Sequence, residues 1–405
     1  MNKVFFFVAA LLLCNACASR PEGFVVRGNF PGMEDGMSVL IRNMENENFD
    51  TLAVGTVRQG KFELHGKVRT PLFCELQLHN RDIASQPAEI KTVNTYLFLE
   101  NAELTLKAPH LDSMTFILPF FSGSADLKIQ TEGTPLQREF YAYRDAVSSI
   151  QKTLQKSSDS LAMLSLEEYR IAPEEYRRLF KELYLQKQTA SEALDAAKME
   201  FIRRHPKSSL SLYLAESLLK TTFERTPEEI EELTDIASRM EDTVRRPYVL
   251  KIAETTKKLC KGSAYKELEL TDTKGQTVKL SQYVHPDRYT LVDFWASWCG
   301  PCRWAIPKIK QCYDRYDRYD RNRLAVVSIS LDQKKADWEK AVKQEKMPWT
   351  QLWAGNEKQM QATCWSYNIT GIPRLMLIAP DGTILFNGHD ADALRITMEQ
   401  VWEKE

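Results

Sequence analysis

Three regimes of hydrophobic patterning divide the chain. Over residues 23–131, short stretches of alternating apolar and polar positions are separated by Gly, Asn and Asp. Lys61-Phe-Glu-Leu-His65 alternates with a period of two behind a Gln59-Gly60 turn signal, as a half-buried strand does. Residues 96–100 and 103–107 read as two further strands joined in a hairpin about Asn101-Ala102. Many short strands of this kind predict an all-β domain over 22–131, a small sandwich or barrel-like fold. From 135 to 261 the period lengthens to that of a helix. Thr226-Pro227-Glu228-Glu229 is a helix start, with a Thr cap, Pro at the first helical position and Glu three residues after the cap. Ile230, Leu233, Ile236 and Met240 then recur on one face. Another helix is expected to end at Arg203-Arg204-His205 before Pro206, where cationic side chains suit a C-terminus. This middle segment reads as a helical connector domain whose Arg and Lys residues form solvated faces.

Past Lys261-Gly262-Ser263, strand and helix signals alternate over 263–405. Residues 268–280, broken at Thr273-Lys274-Gly275, read as a hairpin. Val292, Phe294 and Trp295 mark a buried strand that runs into Trp298-Cys299-Gly300-Pro301-Cys302, where the chain turns into a helix. Pro301 fits the first helical turn, where a missing N–H costs nothing. Residues 324–331 (LAVVSISL) form a continuous apolar run of the kind found in covered parallel sheets. A helix is expected over 336–346. Strands over 374–378 and 383–386 flank the Asp381-Gly382 turn, and a last helix runs from about 390 to the end. Residues 313–321 repeat Tyr-Asp-Arg three times. On a helix, Asp314/Arg318 and Asp317/Arg321 would pair at about 0.2–0.5 kcal/mol each, so the repeat reads as a long solvated end to the helix after Cys302.

Composition adds compartment rather than fold. A chain of 405 residues should hold more than one domain, and its 43% hydrophobic and 27% charged content is ordinary for globular protein. A net charge of −1 gives no general pull toward nucleic acid. Beyond the N-terminus no apolar run is long enough to span a bilayer. Lys3 followed by the apolar residues 4–13 reads as a targeting segment over 1–18. Ala16-Cys17 suggests a lipoprotein-type signal with lipidation at Cys17, and Ala16-Cys17-Ala18 also fits ordinary signal cleavage; Cys14 is the poorer lipidation site. Either way the expected location is the cell envelope or periplasm. A single acylated cysteine would anchor the protein to a membrane without threading it through.

Of the eight cysteines, six would remain after such processing. Cys74 alternates with Leu72, Leu76 and Leu78 and reads as an inert buried thiol, and Cys260 closes a helix beside the 261–263 boundary. Pairing of Cys312 with Cys364 stays open. Cys299 and Cys302 carry the redox signature. Cys299 stands at a helix N-terminus, where free N–H groups and the helix dipole lower a thiol pKa from about 8.5 to roughly 7 or below. Cys302 is spaced to attack a mixed disulfide formed on Cys299. Zinc is not expected, because a structural site takes about four ligands and no second Cys/His pair follows. His65, His79 and His110 are scattered without metal-ligand spacing and read as exposed.

The order strand, CxxC helix, strand, helix, hairpin and final helix resembles the thioredoxin fold. Asp293-Phe294-Trp295-Ala296 with Trp298-Cys-Gly-Pro-Cys302 looks like the thioredoxin active site. Gly371-Ile372-Pro373 looks like that family's cis-proline loop, and Ala379-Pro-Asp-Gly382 its last hairpin. The leading hairpin and the insertion around Trp338 make 263–405 similar to the TlpA/ResA branch of membrane-anchored, exported thioredoxin-like proteins. The two front segments resemble the N-terminal regions that precede such domains in exported lipoproteins.

The resemblance implies Cys299 as nucleophile and Cys302 as resolving thiol, with Trp298, Gly300 and Pro301 supporting them. Gly371, Ile372 and Pro373 would meet the substrate backbone. No cofactor is implied beyond the redox-active Cys299–Cys302 disulfide. Implied partners are disulfide-containing envelope proteins and a membrane thiol electron donor; cytochrome c apoproteins, other lipoproteins and small disulfides are all compatible substrates. Two positions depart from the pattern. Ala305 stands where an acidic residue is common, which makes Asp293 the candidate proton acceptor for Cys302. Arg374 follows the proline where a small polar residue is common; facing the dithiol it would favour thiolate, facing solvent it would do nothing special. A peroxidase relative would want Pro and Thr where Val292 and Ala296 stand, and a non-catalytic envelope binding module would not need an intact Trp-Cys-Gly-Pro-Cys.

Overall fold

The computed structural model describes residues 22–29, 31–45, 49–80, 92–114, 128–220, 223, 225–319 and 323–402. The signal segment with Cys14 and Cys17, and both Tyr-Asp-Arg ion pairs, fall on residues or side chains outside this set. Among the described residues, no helix is long and apolar enough to cross a membrane. The chain divides into two compact units, 1–144 and 145–405.

Among the described residues, the first unit is built on eight strands. They are β1 (Phe24–Gly28), β2 (Ser38–Asn43), β3 (Thr51–Thr56), β4 (Phe62–Gly66), β5 (Leu72–His79), β6 (Thr92–Leu99), β7 (Glu103–Lys107) and β8 (Gln130–Glu132). They form two four-stranded sheets, β4-β1-β7-β8 and β3-β2-β5-β6. Phe24, Val26, Leu64 and Leu104 from one sheet share a core with Ile41, Cys74, Leu76 and Leu97 from the other, which makes a sandwich. Cys74 is fully buried there, as its alternation with leucines suggests.

Two expectations for this unit are corrected. β6 and β7 do not form a hairpin: they lie in different sheets, and β7 runs parallel to β1 with Val26 opposite Leu104. Asn101 holds this crossover, accepting from Val68 N at 3.0 Å and donating to Val68 O at 2.8 Å. His79 is not exposed. It is 1% accessible, its Nδ1 lies 2.8 Å from Thr92 Oγ1, and burial pushes its pKa down to about 4. The reason is that the second face of β5–β6 is covered as well. Phe73 and Phe98 meet Phe140 at ring separations of 6.0 and 5.5 Å, and Glu75 is satisfied by Gln77 and Asn94 at 2.8 and 2.6 Å. Phe140 belongs to the first turns of helix α1 (Pro135–Leu166).

The second unit opens with the rest of α1 and with α2 (Pro173–Arg204), α3 (Ser209–Lys220), α4 (Pro227–Ser238) and α5 (Arg245–Lys257). The Thr226 start is a reciprocal capping box, Thr226 Oγ1 accepting from Glu229 N and Glu229 Oε2 from Thr226 N. The basic residues are not all solvated. Arg225 and Arg245 are buried at helix junctions, Arg225 against Asp195 and Arg245 3.7 Å from Glu216, where the carboxylate offsets the cost of burying the guanidinium.

After 263 come β9 (Glu269–Thr271) and β10 (Thr277–Lys279), which form the expected hairpin around Gly275 at φ 83°. Then follow β11 (Tyr289–Trp295), α6 (Gly300–Tyr313), β12 (Leu324–Ser330), α7 (Lys335–Glu345), β13 (Thr350–Trp353), α8 (Glu357–Ser366), β14 (Arg374–Ile378), β15 (Ile384–Gly388) and α9 (Ala391–Trp402). The sheet order is β10-β9-β13-β12-β11-β14-β15, with β11, β12 and β13 parallel and β14 antiparallel to β11. One face of this sheet packs Leu291, Trp295, Leu375 and Leu377 against α6, and the other packs Val292, Phe294, Met376 and Ile378.

The Tyr-Asp-Arg stretch departs from expectation. α6 passes into a π-helical turn over residues 314–319, and Tyr316 is buried with its ring centroid 4.1 Å from that of Trp402. Tyr316 thus pins this turn to α9, while Arg315 beside it stays exposed. The α1–α2 hairpin also reaches α9: Leu161, Leu164, Tyr176 and Phe180 cluster with Ile396, and Lys181 Nζ lies 3.0 Å from Glu399.

Candidate active site

Strand β11 delivers the chain to the N-terminus of α6, and the dithiol sits at that junction. Cys299 is the N-cap residue, with extended backbone, and its Sγ accepts from Cys302 N at 3.1 Å. Cys299 and Cys302 form a disulfide with their Cα atoms 5.3 Å apart. When the pair is reduced, the same N–H and the helix N-terminus face the Cys299 sulfur and favour its thiolate. Both sulfurs are largely covered, Cys299 at 4% exposure and Cys302 at 1%. Trp298, Gly300 and Pro301 stand outside them, Trp298 at 71%, and a Cβ on Gly300 would meet open space.

The loop at 371–373 closes over the pair. The Ile372–Pro373 peptide is cis, and Ile372 O lies 3.7 Å from Cys299 Sγ. His389 Nδ1 donates to Pro373 O at 2.7 Å and ties this loop to the end of β15. A groove of about 460 Å³ runs beside the dithiol, lined by Trp298, Asp332, Met360, Cys364, Gly371 and Ile372 among others.

Asp293 is 1% exposed, in the middle of β11 between Leu291 and Trp295 on the sheet face that α6 covers. Burial pushes its carboxyl from the ordinary 3.8 up to about 7, opposed by a 2.9 Å hydrogen bond from Ser328 Oγ. Trp349 Nε1 in turn donates to Ser328 Oγ at 2.8 Å and fixes the hydroxyl toward the carboxylate. Ala305 is buried one helical turn past Cys302 and supplies no acid.

Arg374 faces neither the dithiol nor solvent. It pairs with Phe294 in register and shares the side of β14 that carries Met376 and Ile378, opposite the α6 face. It is buried, and desolvation lowers its pKa. Cys312 and Cys364 are free and lie on opposite faces of the sheet, so the open question of their pairing is answered against a disulfide.

Sequence reasoning passed over Asp332. It follows β12 at the C-terminal edge of the parallel strands, where α/β sheets build their sites. Its carboxylate accepts from Ser297 N at 2.9 Å, Ser297 Oγ at 2.6 Å and Ser330 Oγ at 2.7 Å, and its carbonyl accepts from Trp353 Nε1 at 2.6 Å. Asp332 therefore anchors the turn that presents Trp298 and Cys299. Asp332→Ala strands several buried donors at once and should cost about 3 kcal/mol in urea unfolding. A loss below about 1 kcal/mol, no more than one ordinary hydrogen bond, would remove the anchoring role.

A parallel-centred sheet with a Cys-Gly-Pro-Cys helix start and a facing cis-proline loop defines a thioredoxin-like dithiol domain. Residues 287–384 match the family described as thioredoxin-like, and residues 24–140 match a domain of unknown function, DUF4369. Among curated proteins, the chain is 25% identical over 119 residues to "Probable nucleoredoxin 3" of Oryza sativa subsp. japonica, covering 28% of this chain and 25% of that protein. It is 47% identical over 51 residues to "Thioredoxin" of Chlorobaculum thiosulfatiphilum, covering 13% of this chain and 44% of that one. The chain thus spans less than half the length of these curated relatives. A solved structure of a putative thiol:disulfide interchange protein DsbE from Chlorobium tepidum is similar at 30% identity and TM-score 0.30, over 35% of this chain and 96% of that chain. The thioredoxin domain of a thiol-disulfide oxidoreductase from Bacteroides vulgatus is similar at 29% identity and TM-score 0.32, over 35% and 98%.

Proposed function

We propose that the protein is an exported thiol–disulfide oxidoreductase of the TlpA/ResA kind, tethered through Cys17 and acting as a reductase of protein disulfides in the cell envelope. The observation that carries the chemistry is the Cys299–Cys302 pair at the start of α6, with Asp293 buried on the sheet face beneath that helix. In the reduced enzyme the Cys299 thiolate attacks one sulfur of a substrate disulfide. A mixed disulfide forms and one substrate thiolate leaves. Cys302, giving its proton to the Asp293 carboxylate, attacks the Cys299 sulfur. The Cys299–Cys302 disulfide forms and the second substrate thiolate leaves, so two electrons pass to the substrate. A membrane dithiol donor restores the pair. Substrate backbone would lie along Gly371, Ile372 and Pro373, with the chain next to its disulfide in the groove under Trp298.

The reducing direction rests on Gly300-Pro301 between the cysteines, the dipeptide of thioredoxin, whose potential lies near about −270 mV against about −120 mV for DsbA. Equilibration of the full chain with glutathione buffers should place the pair near the thioredoxin value. A value close to that of DsbA would reverse the proposed direction.

A further inference from the structure

Strand β12 is apolar except for two serines, and each hydroxyl is committed to a carboxylate. Ser330 Oγ donates to Asp332 at 2.7 Å and Ser328 Oγ to Asp293 at 2.9 Å. The first pair shapes the turn before Cys299, whereas the second bears on the acid beneath α6. Ser328 is fully buried and stands opposite Asp293 in the β11–β12 register. Trp349, just before β13, donates from Nε1 to Ser328 Oγ at 2.8 Å. The indole is itself held in place: it is buried, and a ring centroid of Tyr313, the last residue of α6, lies 5.5 Å from its own.

The donors and acceptors of this chain fit together in one way. An indole N–H donates and cannot accept, so it occupies a lone pair of the Ser328 oxygen and leaves the single hydroxyl proton for Asp293. No proton travels outward along the chain, because Trp349 has no site to receive one. What the chain supplies is a fixed donor. A hydrogen bond to an ionised carboxylate is about twice as strong as one to a neutral acid, so a fixed donor favours the ionised form while burial disfavours it. Nothing else opposes burial at this position. β14 places Leu375 opposite Asp293, α6 brings Cys302 and Ala305 to the same face, and among the described residues no charged side chain acts on the carboxyl.

We propose that Ser328 and Trp349 are a positioning pair that holds the Asp293 carboxylate in the ionised form that takes the Cys302 proton. Without the hydroxyl, burial around Asp293 is unopposed and the carboxyl ionises only at higher pH. The inference rests on the role given above to Asp293 in release, and its titration is measured apart from that role.

The test uses the full chain as wild type, Ser328→Ala, Trp349→Phe and Ser328→Thr. Carboxyl ¹³C NMR of the oxidised, ¹³C-aspartate-labelled protein follows the Asp293 titration, its signal assigned by its loss in Asp293→Asn. The midpoint should rise by about one pH unit in Ser328→Ala and by less in Trp349→Phe, and it should stay at the wild-type value in Ser328→Thr, which keeps the hydroxyl. The second readout is stopped-flow release of the second thionitrobenzoate from reduced protein mixed with 5,5′-dithiobis(2-nitrobenzoate), the step in which Cys302 displaces the group on Cys299. At pH 7, release by Ser328→Ala should be about fivefold slower, since a carboxyl about half ionised becomes about one-tenth ionised, and by pH 9 it should match the wild type. A general loss of packing would slow release at every pH. If Ser328→Ala fails to fold, Trp349→Phe carries the test, because it keeps an aromatic ring and removes only the donor. A midpoint unmoved or lowered in either variant would overturn the pair, as would Ser328→Thr titrating like the alanine variant. Midpoints that rise as expected while release keeps the wild-type pH profile would defeat Asp293 as proton acceptor and leave the pair standing.

Discussion

With alanine at position 302, Cys299 should accumulate as a stable mixed disulfide with its substrate, and turnover should fall by at least about a thousandfold, as removal of an obligatory participant does. The geometry fits the proposed order of events. Cys299 Sγ occupies the N-cap position and meets Cys302 N at 3.1 Å and Ile372 O at 3.7 Å, next to the loop where substrate backbone would lie. Cys302 is deeper, at 1% exposure, and reaches only a sulfur already joined to Cys299. Cys299→Ala should therefore lose activity without trapping anything. Mass spectrometry of the trapped species reads the assignment directly. Adducts on Cys312 or Cys364 would reject the roles given to the pair, and full disulfide reduction by Cys299→Ala would sink the enzyme reading.

Asp293→Asn should slow release from the mixed disulfide by about a hundredfold, the usual scale of a lost general base. The pH dependence should change with it. A carboxyl with a pKa of about 7 accepts the Cys302 proton only when ionised, so release by the wild type should fall about tenfold per pH unit below 7. The asparagine variant should lose that inflection. Stability gives a second readout with a definite sign. Between about 4 and 7 the unfolded chain has given up this proton while the native state keeps it, so wild-type stability declines as pH rises through that window. The gap between 3.8 and about 7 corresponds to on the order of 4 kcal/mol, fully lost above pH 7. Asp293→Asn carries no such slope and should be the more stable protein at pH 8, by denaturant titration of the oxidised form. A variant that retains both the slope and the inflection would show that another group titrates.

Much of the dithiol domain was legible because its signals are local. Residues 324–331 could be little other than a covered strand, Asp381-Gly382 little other than a turn, and Cys-Gly-Pro-Cys after an aromatic strand carries its own geometry. The misreadings occur where local pattern leaves the tertiary partner undetermined. Strands 96–100 and 103–107 alternate in the same way whether they pair with each other or cross between sheets. The deciding contact, Asn101 to Val68, spans 33 residues. His79 looks like any polar strand residue until Phe140 and the Glu75–Asn94 network are seen to cover the second face of the sheet. Arg225 and Arg245 look solvated until Asp195 and Glu216 are brought beside them from other helices. β13 is four residues long, too short for a period to register, and Asp332 was visible only as the polar residue ending an apolar run.

The remaining thiols bear on how the redox state of this protein can be read. Cys74 is sealed between the sheets of the sandwich, burial raises the pKa of Cys260 and Cys364, and the Cys312 thiol is pushed up to about 12. Cys74, Cys260 and Cys312 are thus shielded and consume alkylating reagent slowly, whereas Cys364 is half-buried and lines the groove beside the dithiol, where its raised pKa is what slows it. Among the described residues the native fold works as selective insulation, and brief alkylation of the reduced protein reads first the helix-capping Cys299, ahead of the buried sulfurs.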